Sequence, residues 1–492
     1  MTIKRASQRL LRDTCGTVLI LFAVALSMLI GIVGLGVEAG LWFAIKRHNQ
    51  TAADIAAISG ALELDAGQGY GLSASAIYPD ICALAKSDAT TNGFTFASFT
   101  CPTTSPGCTN PASGQMCANN PPKLSGSPNL NNPNAVEVIL NQQQSALLAS
   151  LLLPNVQIAT RAVAVIKKFD QSCLLALGTT GTDVYMQGAA GVKICLDPSG
   201  NCTSPGNCSI AANSSGASAV DISTGNPTLT ADTIVTPGGI NGLNDTNLSL
   251  TSSAMTGSAP VVDPYASTLT HTALQAGMPT TCTPQPSGNA VYTADVRFCG
   301  SSPKFIALDI KNQTIDFQPP ASGHLTVWLT DGDLVIDANG VLECTTCSIN
   351  NKGITIIFTE STGGIVGGVS MQSNGAIDSL NAPNTGSFPG VLIAQDPAGP
   401  FTNPSSTGTN CKNVSSPCST FHGNPGSTLT GLVYFPGTSM DFQGDPAVGS
   451  NACLLLVVKQ VEVMGSSTFQ DAGCSSIGLN NVPTVKTISL AE

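Results

Sequence analysis

The sequence is short of charge. Asp, Glu, Lys and Arg together make up 10% of its 492 residues, against about a quarter in an average soluble domain. Lys and Arg number 19 against 30 Asp and Glu, so no basic face is on offer to nucleic acid, which binds by phosphate neutralisation. Basic residues are scarcest after residue 170, which leaves little to stabilise an anionic transition state. Aromatic residues amount to 5%, few for the stacking platforms that sugar binding uses. His271, His324 and His422 stand alone in the sequence and read as surface or packing residues rather than metal ligands. No P-loop, GxSxG, HExxH or dinucleotide fingerprint is present. The sequence therefore implies no metal, no cofactor and no catalytic residue.

What is there points to a folded, exported chain. Hydrophobic residues make up 42%, beside 50 Gly and 31 Pro. A disordered chain would be poor in apolar residues and rich in charge, so this one folds, with a neutral polar surface and length for two or three domains. Of 17 cysteines, Cys15 opens an apolar segment and the other sixteen follow it. The close pairs Cys202/Cys208, Cys344/Cys347 and Cys411/Cys418 lie in loops rich in Gly, Pro and Asn. Zinc competes for Cys344-Thr-Thr-Cys347, yet no second CxxC or paired His stands at ligand spacing. Disulfides are the preferred reading, and they imply an oxidising compartment.

Residues 17–37 read TVLILFAVALSMLIGIVGLGV, a charge-free run long enough for a hydrocarbon core of about 30 Å. Lys4, Arg5, Arg9 and Arg12 precede it, while Lys46, Arg47 and His48 follow. This bias predicts a cytoplasmic N-terminus (1–16), one membrane helix (17–37) and an exported remainder. The run is longer than the apolar core of a cleaved signal peptide, so a retained anchor is expected. A helical continuation over 38–64 carries Ala53, Ala57 and Ala61 at i, i+4 and i+8, a face of small side chains for close packing. Gly36 and Gly40 form a GxxxG; Gly and Ala are also simply common in membrane helices. Glu38 reads as a snorkelling or solvated charge.

Residues 65–170 read as a small α+β unit with an insertion bracketed by Cys82, Cys101, Cys108 and Cys117. In it AVEVILNQQQ and VQIATRAVAVI alternate as strands and SALLASLLL reads as a short helix. From Cys173 on, short apolar runs recur between Gly, Asn, Asp and Pro, among them HLTVWLTDGDLVIDANG, NKGITIIFTE, PGVLIAQD and CLLLVVKQVEVMG. A sandwich fits such runs. Runs apolar at successive positions, such as Leu454 to Val458, favour doubly covered parallel strands. The expectation is a mainly β chain whose residues 171–480 form a single-stranded parallel β-helix, ahead of a tail at 481–492.

The segment RDTCGTVLILFAVALSMLIGIVGLGVEAG, followed by HNQTAADIAAISGA, resembles the N-terminal module of the TadG-like proteins of Flp pilus assembly. There an apolar helix ends near an acid, here Glu38, and a Q-x-A-A-D-x-A-A helix follows, here from Gln50 to Ala57. NSSGASAV, LNAPNTGSFPGVLIAQD and LTGLVYFPGTSMDFQGD look like the β-rich extension of a subset of that family. The resemblance implies that Cys453 and Cys474 staple neighbouring turns near the C-terminal end and that Cys173 and Cys195 do so near the start; Cys282 and Cys299 count with the disulfide cysteines as well. It also raises a D-x-S-x-S metal site, but Asp221-Ile-Ser223-Thr-Gly225 lacks the last Ser. After Gly16 the fifth residue is Leu21, where a pilin-type leader needs Glu.

Acids for glycan cleavage would have to converge on one face. The candidates Asp331, Asp333, Asp337, Asp441 and Asp445 read more simply as turn residues. The resemblance thus implies a non-enzymatic, single-pass envelope component of the tight-adherence pilus apparatus in the bacterial inner membrane. Its partners would be other pilus-assembly or envelope proteins. A glycan-binding or glycan-cleaving protein and a pilin-like subunit are the alternatives.

Overall fold

A computed structural model describes residues 17–69, 72–146, 150, 154–187, 191–194, 208–225, 227–243, 248–251, 253–347, 352–371, 375–402, 411, 413–423, 429–444, 453–464, 467–469, 474–479 and 482–492. The chain is mainly β, 39% strand against 20% helix, with an N-terminal apolar helix and parallel sheets. It divides into two compact units, Met1–Lys167 with Thr487–Glu492, and Lys168–Lys486. Residues 481–492, expected as a tail, contain the strand Thr484–Leu490, and the last six belong to the first unit.

Helix α1 (Thr17–Gly69) is uninterrupted over 53 residues, because the segment holds no Pro. Expected span and continuation are one rod. Large apolar side chains stand exposed on it from Leu21 to Phe43, and it is long and apolar enough to cross a membrane. Glu38 is buried rather than solvated. Further along, Ala52, Ala53, Ala56, Ala57 and Ala61 are fully buried. They pack on Ile77, Tyr78, Ile81, Cys82 and Ala85 of helix α2 (Ala74–Thr91). Small size is required there: a Cβ at Gly60 would meet Val136 Cγ1 at 3.0 Å, and one at Gly67 would meet Ile77 Cγ1 at 2.5 Å.

Three antiparallel strands pack against these helices in the first unit. Gln115–Asn119 pairs with Ala135–Ser145, which pairs with Asn155–Ala176 from Ala135↔Val165 to Ser145↔Asn155. The period-2 pattern turns Val136, Val138, Leu140, Ala162 and Ala164 toward the helices. Ala135, Val163 and Val165 form a separate buried cluster. The short helix expected at 145–153 lies largely outside the described residues.

In the second unit, apolar side chains stack in register across parallel strands. One line runs Val296, Val327, Ile356, Ile393, Val433, Leu456, Leu174, Ile210, Ile234, each paired with the next. Every member is a β-branched or leucine side chain, so each strand extends one continuous dry core. A second ladder carries Met440, Val461, Val184, Val220 and Ile240 in register.

The order of this stack is not the order of the sequence. The late strand Leu454–Met464 pairs with the unit's first strands, through Leu456↔Leu174 and Val461↔Val184. The chain therefore enters the stack in its middle and builds toward one end at Ile240–Asn241. It then returns to the other end at Val296–Cys299 and builds back to its point of entry.

Candidate functional site

The return segment, roughly residues 256–295, is tied to several layers of the stack by side chains. Asn213 clasps Val261 at both backbone groups, 2.8 and 2.7 Å. Tyr434 donates to Asp263 at 2.8 Å, and its ring meets Tyr265 edge-on. His271 Nδ1 lies 2.6 Å from Asp396. Gln275 donates to Thr359 Oγ1 and to the Glu360 carbonyl, and Trp328 Nε1 donates to the Leu274 carbonyl at 2.8 Å. Cys282 is disulfide-bonded to Cys299. These partners follow the stack in order, so the segment is a strap laid along it.

Burial sets the electrostatics beneath the strap. It raises the Asp263 carboxyl, against the opposing hydrogen bonds of Tyr265 N–H and Tyr434. Burial first, then the Asp263 charge, lifts the Tyr265 and Tyr434 hydroxyls above their ordinary range. A cavity of about 400 Å³ opens beside the strap, lined by Tyr265, Leu269, Ala273, Phe388, Val391 and Leu479 among others. Its wall is mostly apolar and brings no acid–base pair together.

Of the acids expected at turns, only Asp331 is found at one, between two strands, while Asp333, Asp337 and Asp441 lie within strands, Asp333 and Asp441 fully buried. Asp331, at φ 56°, accepts from Ser361 N–H and Oγ and from Ile365 N–H. Asp333 accepts from Gly368 N–H at 2.9 Å. Asp337 accepts from Ala338 N–H and faces Lys311 at 3.8 Å. Asp441 accepts from Gln443 at 2.7 Å, and Asp445 lies outside the described residues. Asp221, in the strand Val220–Thr224, accepts from Ser223 N–H at 3.0 Å and from Ser223 Oγ at 2.7 Å. His324 is partly exposed, and His422 lies in the strand Cys418–Gly423.

A different set of acids is brought together. Asp316 pairs in register with Glu343, and Glu343 with Asp378, placing three carboxylates on adjacent strands about 4.8 Å apart. Burial, then the charges of Asp316 and Asp378, raise the Glu343 carboxyl. Asp316 is held by Thr345 N–H and Oγ and by Gln318. Nothing local in the sequence marks this line, because its members are separated by loops of unequal length. Among the described residues no group of three or more His, Cys, Asp or Glu is placed to hold a metal ion.

The structure pairs Cys344 with Cys347, Cys411 with Cys418 and Cys453 with Cys474. In the first unit it pairs Cys82 with Cys101 and Cys108 with Cys117. Cys173 corrects two expectations: it bonds neither Cys195 nor leaves Cys208 to Cys202, but is joined to Cys208. The ladder explains this. Ser172 pairs with Ser209 on the neighbouring parallel strand, which sets the two cysteine Cα atoms 5.7 Å apart. Cys195 and Cys202 lie outside the described residues. On α1, Ala53, Ala57 and Ala61 are covered within the first unit, whereas a Cβ at Gly36 or Gly40 would meet nothing within 4 Å.

Comparison with family models, with curated proteins and with solved structures gives no match.

Proposed function

We propose that the protein is a non-enzymatic, membrane-anchored envelope component of the TadG-like type, serving tight-adherence (Flp) pilus assembly. One observation carries the reading. The exposed apolar stretch from Leu21 to Phe43 runs without a break into the buried Ala53, Ala57 and Ala61 face. An anchor built this way is rigidly continuous with the folded unit beyond the membrane. The basic residues before residue 17 favour a cytoplasmic N-terminus in the bacterial inner membrane, and the disulfides favour an oxidising compartment for the rest. Other pilus-assembly or envelope proteins are the partners this reading names.

The second unit is, in this reading, a single-stranded parallel β-helix wound from a mid-stack entry and closed by the strap. The aliphatic register lines support that winding. Such a body presents a stiff, weakly charged surface for assembly or adhesion contacts. Deleting the gene tests the function: pilus formation and adherence should fall and return on complementation. Unaltered pili and adherence in the deletion strain would refute it.

A second reading, a glycan-binding or glycan-cleaving body, draws on the in-register acids Asp316, Glu343 and Asp378. Binding to a glycan array that is lost in Glu343→Gln would favour it.

A further inference from the structure

The hairpin of the first unit points at the membrane end of α1. Its strands Ala135–Ser145 and Asn155–Ala176 are fastened to the helix where it leaves the exposed apolar stretch. Asn49 Nδ2 donates to Gln142 at 2.8 Å, Thr160 Oγ1 donates to the Asn49 carbonyl at 3.2 Å, and Gln50 Nε2 donates to the Arg161 carbonyl at 2.7 Å. From Arg161 back to Val156 the strand descends about 17 Å, at about 3.3 Å per residue. Over the same direction α1 falls only about 10 Å from Gln50 to Phe43. The strand therefore reaches the level where large apolar side chains begin to stand exposed on α1.

There the two elements enclose a notch of about 220 Å³, lined by Trp42, Phe43 and Lys46 of α1 and by Val156, Gln157, Ile158 and Ala159 of the strand. Its composition is that of a bilayer interface: aromatic rings beside a long cationic side chain, with apolar contacts below. The stretch exposed in the structure, Leu21 to Phe43 rather than the 17–37 expected from the sequence, measures about 33 Å along the helix, which fills a hydrocarbon core of about 30 Å with the buried Glu38 inside it. Filling it places Trp42 to Lys46 at the headgroup level.

We propose that the strand segment Val156–Ala159 rests on the bilayer beside α1, and that the notch takes a phospholipid with its anionic headgroup on Lys46. The first unit is then held at the membrane surface in a fixed attitude by two contacts instead of swinging on one helix. The inference rests on the anchor reading above. A photoreactive benzoylphenylalanine is placed in turn at Gln157, at Phe43 and at Leu130, which is 43% exposed in the loop at the opposite end of the hairpin. Each protein is irradiated in membranes of phosphatidylethanolamine and phosphatidylglycerol, and lipid adducts are read by mass spectrometry.

Adducts from positions 157 and 43 but not from 130 are expected, with Lys46→Gln lowering the phosphatidylglycerol share at 157. Adducts from 43 alone overturn the proposal and leave the anchor standing. Loss of adducts from 43 as well removes the anchor reading itself. An unchanged phosphatidylglycerol share in Lys46→Gln overturns the headgroup contact.

Discussion

His271 Nδ1 sits 2.6 Å from the fully buried carboxylate of Asp396, across 125 residues of sequence. Asp396 also accepts from Thr359 Oγ1 at 2.6 Å and from Ala398 N–H at 2.9 Å, so strap and stack share one buried acid. Losing the partly exposed His271 leaves Asp396 with its other two donors. Losing the carboxylate strands the hydroxyl and the amide together. Asp396→Ala should therefore destabilise the second unit by about 2–4 kcal/mol, and His271→Ala by about 1 kcal/mol or less. Denaturant unfolding of both variants gives the comparison, and equal losses would contradict this account of the clasp.

Asp183 makes stability depend on pH. Burial raises its carboxyl to about 7, against the hydrogen bond from Ser214 N–H; in an unfolded chain it would titrate near 3.9. Between those values the folded state binds more protons than the unfolded state. The Asp183 contribution is thus complete below about pH 4 and is lost as pH rises through about 7. Asp183→Asn should flatten that slope and be more stable than the parent at pH 8, by on the order of 2–4 kcal/mol. Melting series from pH 4 to 8 with parallel slopes would count against it.

The contact of α1 with α2 has no spare room. A Cβ at Gly67 would lie 2.5 Å from Ile77 Cγ1 and 2.8 Å from Ile77 Cγ2. Gly67→Val should cost about 1–3 kcal/mol through overpacking, whereas Gly36→Val, where nothing lies within 4 Å, should leave the fold unchanged. Limited proteolysis of the first unit distinguishes the two.

Non-reducing digestion followed by mass spectrometry should recover a peptide pair linked through Cys173 and Cys208. The parallel pairing of Ser172 with Ser209 brings their strands side by side, and the bond spans them from Cys173 to Cys208. Recovery of Cys173 linked to Cys195 instead would mean that these strands are not neighbours.

Some of this architecture is written in local sequence. A charge-free run from Thr17 to Val37 can only be a long apolar helix, because its backbone groups are satisfied within the segment itself. The alanines at 53, 57 and 61 recur at helical spacing and mark a close-packed face before any partner is known. Strings such as Leu454 to Val458 announce strands covered on both sides. Nearness in sequence did not settle the cysteine pairs: Cys344/Cys347 and Cys411/Cys418 are bonded, whereas Cys208, six residues after Cys202, is bonded to Cys173.

Tertiary structure decided the rest. Which strand stacks on which depends on the lengths of irregular loops, and those lengths follow no period. Leu456 beside Leu174 joins residues 282 positions apart, and no local pattern distinguishes that partner from the next apolar run. The Cys173–Cys208 bond and the line Asp316, Glu343 and Asp378 follow from the same ladders, since register aligns side chains that the chain itself keeps far apart. The strap has the same origin: once the stack begins in its middle, the chain must travel back along it to reach the other end.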